Sequence, residues 1–195
     1  GQLLSARADV IPSAWVNELI SLQDRVPSFS FKKVEEILTL QLGNSFQQIT
    51  YIDEIPIGSA SLAQVHKAKL INNKSVIFKV QRPDIERFFR LDLDVMNQVA
   101  RVVQKIKVIS RGNDWVGIAK ESKRVLLREL DFRIEAQYAA RFKQQFMDDS
   151  DIKVPSVFWD LSTSKVLCLE YLPGIKINDI KSVSYTHLRA HETRP

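Results

Sequence analysis

The scarcity of cysteine and histidine and the lack of long apolar runs exclude several protein classes. Its 195 residues include one cysteine, Cys168, so no disulfide can form within the chain, and a disulfide-stapled scaffold is excluded. Two of its three histidines, His187 and His191, lie near the C-terminal end, and no group of histidines and cysteines has the spacing of metal ligands. No apolar run reaches the roughly 18 residues typical of a membrane-spanning helix. We therefore expect neither a metal site nor a bilayer-spanning helix in this sequence.

The composition is that of a globular protein with a modest positive charge. Hydrophobic residues make up 45% and charged residues 26% of the sequence, which is typical of a globular protein. A chain of 195 residues is long enough to form one or two domains with a hydrophobic core. The 28 basic and 23 acidic residues give a net charge of +5, which fits an ordinary surface and also attraction to a nucleotide or an anionic lipid. No feature predicts a nucleic-acid partner. Cys168 lies in the apolar run V-L-C-L, which predicts a buried thiol in a reducing, intracellular compartment.

The stretch from Pro56 to Pro83 has the pattern of a β-hairpin preceded by a turn of small residues. Strands are predicted at Leu62–Leu70 and Val76–Val80, and Lys79 lies near the end of the second. The turn consists of Gly58, Ser59, Ala60 and Ser61. Small side chains let backbone NH groups approach a phosphate, and glycine can adopt φ > 0, so this turn and the lysine could together bind phosphate. An ordinary hairpin without a ligand is the alternative.

Helical patterns and further strands flank this hairpin. The spacing of apolar residues predicts a helix after Ser13, a second from Ser30 to Gly43, a long one from Asp84 to Ile106 and another from Trp115 to about Phe146. Further strands are predicted at Ile49–Ile57, Val154–Trp159 and Lys165–Tyr171. The chain is thus predicted to have an α+β fold with one antiparallel sheet of five strands.

The helical stretch after Trp115 contains a group of acidic residues. Asp131 and Glu135 are four residues apart and share one helical face, whereas Glu129 and Glu135 are six apart and would diverge on an unbroken helix. Either Glu129 serves a different face, or the helix is interrupted near Leu130. A solvated acidic face that balances the neighbouring arginines is the alternative to a functional role.

Four motifs follow one another along the chain: G-Q-L-L-S-A-R-A-D-V-I-P at the start, G-S-A-S-L-A-Q-V-H-K-A, F-K-V-Q-R-P, and E-L-D-F-R-I-E-A at Glu129–Ala136. In this order they resemble the motifs of the UbiB-type atypical kinase family, also called the aarF-domain or ADCK family. The resemblance extends from Gly1 to Ile180. Gly58 departs from it, because many members carry alanine there.

The resemblance implies the N-terminal lobe of a protein kinase, with a helical extension before it and inserted helices ahead of the αC-type helix. Residues 1–46 would form the extension, 47–174 the lobe, and 175–182 the start of a second, C-terminal lobe that the chain does not complete. Residues 183–195 have no periodicity and look like a translated adapter, so we expect a non-native tail there. Because the family motif is K-x-G-Q, the chain beginning at Gly1-Gln2 is expected to be a fragment.

The same resemblance implies the roles of individual residues. Lys79 and Glu135 would form the ion pair that orients the lysine toward ATP, and Glu129 and Asp131 match the family's E-x-D motif. Glu170 and Leu172 would lie at the hinge that meets the adenine ring, although L-P-G could also be a simple turn. Mg²⁺ would be held by the missing C-terminal lobe.

The activity implied for the full-length parent is that of an atypical kinase or ATPase, the fragment alone being inactive. The family is linked to isoprenoid-quinone biosynthesis, of ubiquinone or plastoquinone, and to prenyl-lipid metabolism. This implies quinone-biosynthesis proteins as partners and peripheral contact with a bacterial inner membrane, thylakoid or plastid membrane. A non-catalytic scaffold that binds nucleotide or lipid is the alternative function.

Overall fold

The structure, a computed structural model, describes residues 27–174. The helices are α1 Phe31–Leu42, α2 Ile85–Lys105, α3 Lys107–Ser110, α4 Trp115–Arg128 and α5 Phe132–Gln145. The strands are β1 Ile49–Ile52, β2 Gly58–Ser59, β3 Ala63–Leu70, β4 Ser75–Gln81 and β5 Val166–Glu170, and short 3₁₀ turns span Gly43–Gln48 and Trp159–Leu161. The helix predicted after Ser13 and the segments 175–182 and 183–195 lie outside the described residues. No helix in the described range is long and apolar enough to cross a membrane.

The strands form one antiparallel sheet in the order β1-β3-β4-β5, and β2 pairs with the same edge of β3 as β1 does. The long hairpin β3–β4 is the centre of this sheet, with Ala63 opposite Gln81 at one end and Lys69 opposite Ser75 at the other. The predicted α+β fold with a five-stranded antiparallel sheet is confirmed. The residue pattern of the hairpin predicts the ends of β3 and β4 to within about one residue of where they lie.

The strand predicted at Ile49–Ile57 is wrong in its second half. Strand β1 ends at Ile52 and β2 begins at Gly58, although the Asp53 and Ile57 amides still donate to β3 carbonyls at 2.8 Å. Pro56 has no NH to donate to a neighbouring strand. The carbonyl of Asp53 is bonded instead by the imidazole Nδ1 of His66, at 2.7 Å. These two local features divide one predicted edge strand into β1 and β2.

The strand predicted at Val154–Trp159 is also wrong. Only Val157 bridges to β5, opposite Leu169, and the chain then turns into the 3₁₀ segment at Trp159–Leu161. Pro155 removes one backbone donor from this segment. The fifth strand of the sheet is therefore the short β2, and residues 154–158 run beside β5 without becoming a strand.

Helices cover both faces of the sheet in different ways. On one face α1 buries Val34, Leu38 and Leu42 against an apolar core that includes Phe78 and Cys168. Helix α1 ends at Leu42 and is capped by Gly43, which has φ 52°, in agreement with the predicted helix end at Gly43. On the other face a smaller apolar cluster joins α5 to the sheet through Phe132, Ala136, Ala63 and Leu167. The predicted burial of Cys168 is thereby confirmed.

The predicted single helix from Trp115 to Phe146 is divided into α4 and α5. Asp114 caps α4 by accepting a bond from the backbone NH of Gly117 at 2.8 Å, and Asp131 caps α5 by accepting one from the NH of Arg133 at 3.0 Å. The break lies at Glu129–Leu130, where Gln81 of β4 donates its side-chain amide to the Leu130 carbonyl at 2.7 Å. The alternative of an interruption near Leu130 is therefore the correct one.

Candidate functional site

The ammonium of Lys79 forms an ion pair with both carboxylate oxygens of Glu135 beside the sheet. Lys79 Nζ lies 2.8 Å from Oε1 and 2.6 Å from Oε2 of Glu135, and the two side chains are 29% and 46% exposed. The ammonium is also 4.8 Å from the centroid of the Phe132 ring, within the range of a cation–π contact. The pair joins residues 56 positions apart in the chain. It fixes the lysine while leaving it accessible to a ligand.

The local fold explains why these two residues meet. Lys79 stands between Val65 of β3 and Leu167 of β5, so its side chain leaves the sheet on the face that α5 covers. Glu135 belongs to the first turn of α5, where the positive end of the helix dipole favours a carboxylate. Phe132 and Ala136, on either side of Glu135, are fully buried and hold the helix against the sheet.

The three acidic residues predicted from the helical stretch line one shallow depression of about 280 Å³. Glu135 faces Lys79, whereas the Asp131 carboxylate accepts bonds from the Arg133 guanidinium at 2.7–3.2 Å. This guanidinium holds the pKa of Asp131 below its usual value. Glu129 is exposed at the end of α4. The break at Leu130 thus brings all three acids to one side of the helix pair.

The small-residue turn lies two strands away from Lys79 in the sheet. Gly58 is opposite Val65, which is in turn opposite Lys79, so the three residues form one row on adjacent strands. With a strand spacing of about 4.8 Å, the backbone of Gly58 is on the order of 10 Å from that of Lys79. Ser59 follows in β2, and the Ala60 amide donates to the Ala63 carbonyl at 2.8 Å.

The expectation that Gly58 uses its freedom to adopt φ > 0 is wrong. Among the described glycines only Gly43 and Gly112 have a positive φ. A Cβ added to Gly58 would meet no atom within 4 Å. Because Gly58 belongs to the extended strand β2, any small residue fits there. The alanine that the resemblance leads us to expect at position 58 is compatible with this backbone.

The predicted hinge residue Glu170 has its side chain bound to the neighbouring segment. Its carboxylate accepts bonds from the Ser156 hydroxyl at 2.7 Å and from the Ser156 amide at 3.1 Å. These bonds lower the pKa of Glu170. The Ser156 hydroxyl also contacts the Lys143 ammonium, which links the end of α5 to β5. The half-buried Leu172 follows where the described chain leaves the sheet.

Two polar residues at the end of β4 were missed by the sequence analysis. Gln81 is buried and connects the sheet to the α4–α5 break through its bond to Leu130. Arg82 donates from Nε to the Ala60 carbonyl and from Nη2 to the Ser59 hydroxyl, both at 2.9 Å. The motif F-K-V-Q-R-P contains both residues, but their partners are distant in sequence: the Leu130 carbonyl for Gln81 and the small-residue turn for Arg82.

The buried His66 is a structural residue. The side-chain amide of Gln64 lies 2.8 Å from Nε2 of His66, and Nδ1 of His66 lies 2.7 Å from the Asp53 carbonyl. If Gln64 donates and Asp53 accepts, the ring is neutral, and burial accordingly lowers the pKa of His66. In the range 27–174, no three His, Cys, Asp or Glu side chains are arranged to hold a metal ion.

Comparisons with known proteins agree with this architecture. The family model of the ABC1 atypical kinase-like domain matches residues 21–193. The chain is 42% identical over 186 residues to the protein ACTIVITY OF BC1 COMPLEX KINASE 7, chloroplastic, of Arabidopsis thaliana, covering 94% of this chain and 26% of that protein. It is 35% identical over 185 residues to the probable protein kinase UbiB of Pseudomonas fluorescens, covering 94% of this chain and 35% of that protein.

A solved structure is similar over nearly the whole chain. The complex of Rv3197 with erythromycin, from Mycobacterium tuberculosis, matches with a TM-score of 0.70 and 30% identity, covering 97% of this chain and 48% of that one. The chain spans only 26% and 35% of the lengths of the two curated relatives named above. On the family match and these likenesses, the chain belongs to the ABC1 atypical kinase-like family, and its relatives include a probable protein kinase UbiB.

Proposed function

We propose that the chain is the nucleotide-facing lobe of an atypical kinase or ATPase and that ATP binds between the turn Gly58–Ser61 and the Lys79–Glu135 pair. The observation that carries the proposal is the ion pair, with its Nζ–O distances of 2.6 and 2.8 Å. A lysine held in this way presents a fixed positive charge to phosphate oxygens. Its partial exposure leaves room for a ligand to approach.

Each element of the site has a defined task in this proposal. The amides of the turn other than that of Ala60, which donates to the Ala63 carbonyl, would face the phosphates. Lys79 would neutralise the phosphate charge while Glu135 keeps the ammonium in place. Backbone groups of residues 170–172 would contact the adenine, except the Glu170 and Tyr171 amides, which donate to the Ser156 and Ser75 carbonyls. Glu129 and Asp131 flank the depression next to Glu135 and influence the charge around it. Mg²⁺ would neutralise phosphate charge when bound, with ligands from the C-terminal lobe as the resemblance implies.

The role of the whole protein is proposed from its relatives. One of them is named ACTIVITY OF BC1 COMPLEX KINASE 7, chloroplastic, and another a probable protein kinase UbiB. We propose that the full-length protein supports isoprenoid-quinone or prenyl-lipid metabolism, ubiquinone or plastoquinone, at the surface of a bacterial inner membrane, thylakoid or plastid membrane. Quinone-biosynthesis proteins would be its partners.

ATP hydrolysis by the full-length protein tests the catalytic part of the proposal. Lys79→Met and Glu135→Gln should each lower the rate by about 100-fold or more, because both remove a fixed charge that stabilises phosphoryl transfer. Lys123→Met is the matched control, since Lys123 forms a comparable ion pair with Asp94 at 2.7 Å between α2 and α4. A Lys79→Met protein with the wild-type rate would refute the role of Lys79.

A second function is favoured by a different part of the molecule. An apolar groove of about 390 Å³ opens between α2 and α4, lined by Met96, Val99, Val103, Trp115 and Ile118, among others. Its apolar lining suits a prenyl chain. The protein would then be a non-catalytic, lipid-binding scaffold. Full rescue of a quinone-deficient strain by a variant that cannot hydrolyse ATP would favour the scaffold over the enzyme.

A further inference from the structure

Arg82 lies at the contact between the small-residue turn and the segment at the start of the described chain. It is the first residue after β4, and its backbone NH donates to the Leu62 carbonyl at 2.9 Å. Its guanidinium donates to the Ala60 carbonyl, to the Ser59 hydroxyl and, at 2.7 Å, to the Pro27 carbonyl. One side chain therefore binds two residues of the turn and a residue 55 positions earlier in the sequence.

The segment that receives the third bond is itself fixed to the sheet. The fully buried side chain of Gln64 accepts from the Phe29 amide at 3.0 Å and donates to the Phe29 carbonyl at 3.2 Å. The Arg82 guanidinium also lies 5.8 Å from the Phe29 ring centroid. Arg82 thus connects the turn to two supports, the end of β4 and the Pro27–Phe29 segment.

We propose that Arg82 is the positioning residue of the turn Gly58–Ser61. It holds the backbone of the turn in the position from which the amides other than that of Ala60 face the phosphates, without itself contacting the nucleotide. The planar guanidinium supplies three donors in fixed directions to the three acceptors, which the single ammonium of a lysine cannot reproduce. The inference rests on the proposed nucleotide function for its consequence, but the ordering of the turn can be measured without any nucleotide.

Loss of the positioning contacts should appear first in amide hydrogen exchange of the full-length protein without ligand. Arg82→Ala and Arg82→Lys should both accelerate exchange of the Ala60 amide about tenfold, because charge-assisted bonds that hold the turn are lost. Exchange of the Phe78 amide in the core reports whether each variant is folded, and it should stay unchanged. Arg90→Ala is the matched control, because this arginine bonds only to Glu86 on its own helix among the described residues.

The second readout separates positioning from general destabilisation. In the full-length protein, Arg82→Ala should weaken ATP binding about tenfold and leave adenosine binding unchanged, since the turn contacts only phosphates. Ser59→Ala should weaken ATP binding less, and adding it to Arg82→Ala should have no further effect, because the Ser59 contact runs through Arg82.

Distinct results would overturn the two proposals. Unchanged Ala60 exchange in Arg82→Ala, or restoration by lysine, would refute the positioning role whatever the protein binds. Equal weakening of ATP and adenosine would also refute it. A wild-type protein that binds no ATP, with Ala60 exchange still accelerated in the variants, would refute the nucleotide function and retain Arg82 as the residue that orders the turn.

Discussion

Phe78 and Lys79 are neighbours in β4 and point to opposite faces of the same sheet. Phe78 lies in a row with His66 and Cys168, and all three side chains are fully buried beneath α1. Lys79 lies in the next row, with Gly58, Val65 and Leu167, and is partly exposed. The first face excludes water over a continuous apolar core, whereas the second buries a small cluster around α5 and keeps its charged groups accessible.

The comparison shows how one strand can serve stability and function with alternate residues. Because successive side chains of a strand point to opposite faces, the core can be packed under α1 without constraining what stands under α5. The apolar contacts of Phe132 and Ala136 suffice to hold α5, which places Glu135 opposite Lys79. The two faces should therefore respond differently to substitution.

Phe78→Ala and Lys79→Met give the largest predicted contrast in stability. Removing the buried ring of Phe78 leaves a cavity and should lower the free energy of unfolding by about 3–5 kcal/mol. Lys79→Met removes a partly exposed ion pair and should change it by less than about 1 kcal/mol. Urea unfolding of the two variants measures both values. Similar losses in both would show that the faces do not differ as described.

The pH dependence of stability should arise from the packed face, at His66. Burial lowers the pKa of His66 below its ordinary value of 6.5, so below that pH the unfolded chain binds a proton that the folded chain excludes. Stability should therefore fall as the pH drops below about 6.5, with a slope of up to about 1.4 kcal/mol per pH unit. His66→Asn should flatten unfolding curves measured between about pH 5 and 6.5. An equal slope in the variant would contradict this assignment.

The smallest effect is expected at Gly58, on the open face. Gly58→Ala places a methyl group in empty space at an extended backbone position and should change stability by less than about 0.5 kcal/mol and ATP affinity by less than about twofold. Gly43→Ala is the contrasting control, because a φ of +52° is unfavourable for alanine and should cost about 1 kcal/mol or more. A severe loss in Gly58→Ala would mean that the turn needs glycine for a reason other than its conformation. Thermal unfolding and ATP titration measure the two quantities.

The sequence was sufficient where local pattern determines structure. The alternation and turn residues of the β3–β4 hairpin located both strands, and the helical spacing that ends at Gly43 located the end of α1. The resemblance to UbiB-type kinases supplied the pairing of Lys79 with Glu135, which no local pattern could give for residues 56 positions apart. The structure places these two side chains in contact.

The remaining features depend on backbone groups that are distant in sequence. Arg82 bonds to carbonyls 22 and 55 residues away, and a carbonyl has no signature in the sequence. Gln81 was missed for the same reason, since its acceptor is the carbonyl of Leu130. The segment at Val154–Trp159 has the composition of a strand, but it makes one bridge only. Whether such a segment becomes a strand thus depends on its tertiary contacts and not on its composition alone.

Protection of Lys79 from an amine-acylating reagent tests the central claim most directly. Lys79 and Lys123 are similarly exposed, at 29% and 33%, and each is paired with one carboxylate, so they should react at comparable rates without ligand. With ATP present, mass spectrometry of the full-length protein should show Lys79 acylated several-fold more slowly while Lys123 is unaffected. Equal acylation of Lys79 with and without saturating ATP would contradict the proposal that this lysine faces the bound nucleotide.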